Sequence, residues 1–71
     1  MNVHVINLTK SNTNLKTLLD WCSEHYGYLK RVNYPAMAEL HRVSYDDKVT
    51  GILVLYFREE SDFFFFTLRW Q

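Results

Sequence analysis

The sequence predicts an α+β domain of order β-α-β-β-β, an antiparallel sheet of three to four strands with one amphipathic helix on one face. Three observations carry this. Leu15, Leu18, Leu19, Cys22 and Tyr26 recur at the spacing of a single helical face. The runs Val49 to Arg58 and Phe63 to Trp70 have the length and the aliphatic and aromatic content of strands. The chain has 71 residues, room for one compact domain over 1–71.

Val3, Val5, Ile6 and Leu8 read as a short first strand. The polar cluster Ser11-Asn12-Thr13-Asn14 offers several helix N-caps, and Gly27 is placed to end the helix in the left-handed conformation, so the helix is expected over about 12–27. Lys16 and Asp20, one turn apart on its polar side, are spaced for a weak ion pair. Tyr28 to Tyr34 reads as a connector. The stretch after Pro35 is ambiguous: good helix formers follow an N1-type proline, yet Leu40 to Tyr45 looks extended. A strand over about 37–45 is preferred, with a helical turn at its start as the alternative. Asp46-Asp47 then makes a hairpin turn, Glu59-Glu60-Ser61-Asp62 a polar loop, and the last three strands an antiparallel meander.

These loop lengths fix registers, and registers sort the side chains into faces. One face carries Leu53, Leu55, Phe57, Phe64, Phe66, Leu68 and Trp70 with no charge, Gly51 leaving room for the indole. With Ala36, Ala38 and Leu40 it is assigned to the core beneath the helix. The other face carries Met37, Glu39, His41, Val43, Tyr45, Ile52, Val54, Tyr56, Arg58, Phe63, Phe65, Thr67 and Arg69. A solvent-facing sheet surface is expected to be polar. This one has an apolar, aromatic centre with Arg58, Arg69, Glu39 and His41 around it, the composition of a protein interface. Trp21 and His25 flank the helix stripe and add to it. The partner-binding residues expected are Met37, His41, Ile52, Val54, Tyr56, Arg58, Phe63, Phe65, Arg69 and Trp21. The competing reading is that the first strand or the 28–35 connector folds over this face, or that the sheet curls into a half-barrel.

Lys and Arg total 8, Asp and Glu total 8. Nucleic-acid binders usually carry a basic surplus, so that partner class is disfavoured. Cys22 is the single cysteine, which excludes an internal disulfide and fits a reducing compartment. No signal peptide is visible, and the longest apolar stretch, Ile52 to Phe57, falls far short of the roughly 20 residues that span a bilayer. A soluble, cytoplasmic protein is expected, with no membrane partner.

No catalytic, cofactor or metal site is expected. Cys22 and His25 supply two potential ligands where structural zinc takes four. Glu39 and His41, two apart on one strand face, suit a salt bridge better than acid–base chemistry. With Gly27 and Gly51 the only glycines, a phosphate-binding glycine loop is excluded.

The segment Val43-Ser44-Tyr45-Asp46-Asp47-Lys48-Val49-Thr50-Gly51-Ile52-Leu53-Val54-Leu55 resembles the second-to-third strand hairpin of GNAT-type N-acetyltransferases, with an acidic turn, a basic residue and an early glycine in the next strand. The resemblance covers about residues 36–70 and implies the family's first half, strand, helix and strands. The family's acetyl-CoA loop lies beyond the fourth strand, where this sequence ends, so the resemblance implies a sheet without the enzyme and transfers no residue role.

The expectation is therefore a non-enzymatic domain that meets another protein chain, as a homodimer or as an inhibitor of a larger protein of the kind phages and mobile elements encode. A single-stranded nucleic-acid module stacking bases on Phe63, Phe65 and Tyr56, with Arg58, Arg69, Arg42, Lys30 and Arg31 on phosphates, is the first alternative. A degenerate acetyltransferase half-domain completed by a second subunit is the other.

Overall fold

The computed structural model describes residues 2–11, 13–32 and 35–70. Asn12 among the expected caps, and Asn33 and Tyr34 of the expected connector, lie outside them. The elements are β1 (Asn2–Asn7), α1 (Leu8–Ser11), α2 (Leu15–Tyr26), β2 (Lys30–Arg31), α3 (Pro35–Ala38), β3 (Val43–Asp46), β4 (Ile52–Phe57) and α4 (Glu60–Arg69). The described strands form one four-stranded sheet in the order β1-β4-β3-β2. β4 is antiparallel to both β1 and β3, and the two-residue β2 runs parallel to β3. The α+β class and the mostly antiparallel sheet are as the sequence predicts.

Helix α2 follows its signals closely. Asn14 accepts the Thr17 N–H at 3.2 Å as N-cap, and the Gly27 N–H returns to the Ser23 carbonyl at 3.0 Å with φ of 85°. Lys16 and Asp20 pair at 2.8 Å, both largely in water, where such pairs add little. Leu18, Cys22 and Tyr26 are buried against Leu53, Leu55 and Phe57 of β4, Ile6 of β1 and Val43 of β3.

The last element corrects the sequence reading. Phe63 to Trp70 does not form a strand; it belongs to α4 and its C-cap. Four consecutive phenylalanines have no period, so a helix and a strand satisfy them equally. The ends decide. Glu60 and Asp62 lie in the first turn and Arg69 in the last, each complementing the helix dipole. Phe66 is fully buried, Phe63 and Trp70 pack partly buried on the same core, and the Thr67 hydroxyl donates to the Phe63 carbonyl at 2.8 Å. Two long helices therefore share the core, where one was expected.

Two further corrections concern the hairpin. The connection between β3 and β4 spans residues 47–51 and is not a two-residue turn at Asp46-Asp47. The Lys48 N–H bonds Asp46 Oδ1 at 2.9 Å, and the Ile52 N–H bonds the Val49 carbonyl at 3.0 Å, closing a turn with Gly51 at φ of 83°. Because β3 pairs Val43 with Phe57 and Tyr45 with Leu55, those two residues lie on the core face and not the opposite one. Gly51 makes no room for Trp70. It passes α1, where the Leu8 N–H bonds its carbonyl at 2.7 Å and an added Cβ would stand 2.8 Å from the Thr9 hydroxyl.

The second face of the sheet is partly covered by α3 and Val32. Val32, Ala38 and Tyr56 are buried together there, with Met37 and Val54 packed against them. Ala38, expected in the main core, thus belongs to this second cluster, while Ala36 and Leu40 are exposed.

The ends of α2, α4 and β3 meet at one polar node. Arg42 donates from Nε to Asp62 Oδ2 at 2.7 Å and from its amino group to Oδ1 at 3.0 Å, and the Tyr26 hydroxyl donates to the Asp62 carbonyl at 2.9 Å. The Asp62 side chain is 11 % exposed and that of Arg42 is 50 % exposed. Removing Arg42 strands a buried carboxylate, whereas removing the carboxylate leaves a guanidinium that water can reach. Arg42→Ala is therefore expected to lower the urea midpoint more than Asp62→Asn. In the same assay Phe66→Ala should cost about 3–5 kcal/mol. Phe64→Ala should stay within about 1 kcal/mol, as surface changes usually do. Equal losses for the two phenylalanines would return them to one face of a strand.

Candidate interaction surface

The period of α4 sorts its apolar residues. Asp62, Phe63, Phe66 and Trp70 turn toward the sheet, while Phe64, Phe65 and Leu68 line up on the outer side at 55, 48 and 75 % exposure. Helix α2 extends this outer surface. The Trp21 ring stacks on Phe65 at 5.6 Å between centroids and on His25 at 4.1 Å, both at 27°. The His25 Nδ1 lies 2.9 Å from the Trp21 carbonyl, which fixes the imidazole against its own helix. The result is an aromatic surface whose rings are held by one another and by the core, since Trp21 also meets Phe66 and Trp70 edge-on at 6.0 and 6.1 Å.

The ten residues expected to form one patch do not form one. Phe65 and Trp21 belong to the aromatic helix surface. Phe63 is half-buried at the core, its ring 5.8 Å from that of Phe57. Tyr56 is 8 % exposed beneath α3 with Met37 beside it, and neither joins Phe65. Ile52 and Val54 stay on the second sheet face, where β1 adds Val3 and Val5 at 45 and 62 % exposure. His41 lies in the turn between α3 and β3, so Glu39 and His41 form no strand-face pair. Arg58 is exposed with its Nε 3.6 Å from Glu59, and Arg69 stands over the Trp70 ring at 4.7 Å. The open-sheet stacking platform of Phe63, Phe65 and Tyr56 is thus not assembled.

Phe64 and Leu68, placed by the sequence reading in the core, are the functional candidates it missed. The signal was present: from Ser61, positions 64, 65 and 68 fall at i+3, i+4 and i+7, but only once 60–69 is read as helix.

Among the described residues no three His, Cys, Asp or Glu side chains converge to hold a metal ion, and no helix is long and apolar enough to cross a membrane. Burial pushes the Cys22 thiol up to about 12, so it is no nucleophile at neutral pH. Tyr26 is likewise raised to about 12, by burial first and then by Cys22 and Asp62, with Arg42 opposing. Both groups keep their protons in the native state at a pH where the unfolded chain loses them. Their contribution is complete below pH 9 and declines as pH rises from 9 toward 12. The urea midpoint should fall across that window, and Cys22→Ala should flatten its lower part.

The chain matches no family model, no curated protein and no solved structure.

Proposed function

We propose that the chain is a non-enzymatic protein-interaction domain that associates with a second copy of itself through the aromatic surface of α2 and α4. The observation that carries this is the exposed stripe of Phe64, Phe65 and Leu68 on a helix whose opposite side is already satisfied by the core. Aromatic anchors held rigid before contact lose little freedom on binding, and such residues supply most of the energy at interfaces. Equal numbers of acidic and basic residues leave no net charge to keep like chains apart. A chain of 71 residues also has a thin interior, and a partner subunit is one of the few staples open to it when Cys22 is its only cysteine.

The surface favoured over the remaining sheet face is the one with aromatic rings. Val3, Val5, Ile52 and Val54 leave a smaller aliphatic strip, and α3 already covers the end near Tyr56.

Sedimentation velocity from micromolar to millimolar protein tests the proposal. A concentration-dependent dimer is expected, abolished by Phe65→Asp and by Leu68→Asp while far-UV circular dichroism stays unchanged. A monomer throughout the range, or a dimer that survives both substitutions, would overturn it.

A further inference from the structure

We infer that the cleft between β1 and the C-terminal end of α4 is a binding site for a small organic anion, a carboxylate or phosphate monoester carried on an apolar body. The cleft holds about 500 Å³, the scale of a small-molecule site. No aspartate or glutamate is among the residues that line it, whereas Lys10 and Arg69 both do. Neither cation has a carboxylate partner among the described residues.

The polar groups are arranged as donors. Asn7 Oδ1 accepts the N–H groups of Thr9 and Lys10, each at 3.1 Å, so its oxygen is committed and the amide nitrogen is left as the donor. The same bonds tie the end of β1 to the backbone of α1, the short element that carries Lys10. On the opposite wall, Arg69 rests over the Trp70 ring at 4.7 Å, which limits the freedom of its guanidinium. His4 also lines the cleft, and burial lowers its pKa, leaving the ring neutral at pH 7. Two cations with no acidic residue lining the cleft beside them select an anionic head group. The partly exposed Trp70 indole supplies the surface for its apolar body. Nothing here depends on self-association, because the stripe of Phe64, Phe65 and Leu68 is not part of this cleft.

Titration calorimetry on the full chain with benzoate, phenyl phosphate, neutral benzamide and inorganic phosphate tests the inference. Saturable binding of benzoate or phenyl phosphate is expected, at least about tenfold tighter than benzamide, the factor that one charged hydrogen bond supplies. Which of the two wins assigns the head group as carboxylate or phosphate. Lys10→Met and Arg69→Met should each weaken the preferred anion by about tenfold and leave benzamide unaffected. Both side chains are exposed, so the variants should fold, and the paired benzamide titration reads any general damage to the cleft. Three results would overturn the inference: no saturation by either organic anion at millimolar concentration, benzamide equal to benzoate, or inorganic phosphate equal to phenyl phosphate.

Discussion

The seating of α4 across the sheet is the constraint on which the rest of the structure depends. Phe66 fills the centre of the core, touching the rings of Phe57, Trp21, Trp70 and His4. Asp62, one turn earlier, is clamped by Arg42 on the chain leading into β3 and caps the Tyr26 hydroxyl at the end of α2. An apolar plug alone leaves a helix free to turn about its axis. The polar clamp removes that freedom and so settles which phenylalanines face inward. Without it, Phe64 and Phe65 would have no defined position relative to Trp21.

The clamp also ties α4 to the sheet. The Arg58 N–H bonds the Arg42 carbonyl at 3.0 Å, so the residue that grips α4 is hydrogen-bonded to the end of β4. β4 is central, with β1 on one side and β3 on the other, and its Leu53, Leu55 and Phe57 are fully buried. The other face of β4 has a different fate. The chain crosses from β2 to β3 through α3, a connection that parallel strands require, and the crossing lays Val32 and Ala38 over Tyr56.

What was legible in the sequence follows the strength of each local signal. Helix α2 has a period, a cap at Asn14 and a stop at Gly27, and it was read to within a few residues. β4 is an unbroken apolar run without alternation, and its inward set of Leu53, Leu55 and Phe57 comes out right although the pairing with 63–70 that sorted it is absent. β3 was turned over because Asp46-Asp47 looks like a two-residue turn, whereas the reversal runs on to Gly51, whose left-handed φ and closeness to Thr9 are tertiary facts. An odd change in pairing exchanges every side chain of a strand between faces. α4 was missed since Phe63-Phe64-Phe65-Phe66 carries no period, and the acidic residues before it were read as a loop when they are a helix start.

The excess of apolar surface survives these errors for a reason of its own. Reading 63–70 as a strand sends alternate residues to each face; reading it as a helix sends Phe63, Phe66 and Trp70 inward and Phe64, Phe65 and Leu68 outward. Either period divides the same apolar run roughly in half. The period decides where the exposed aromatic surface lies. Moving it from the sheet to α4 places it beside Trp21, which turns a scattered set of rings into a stacked one and gives the surface a defined shape.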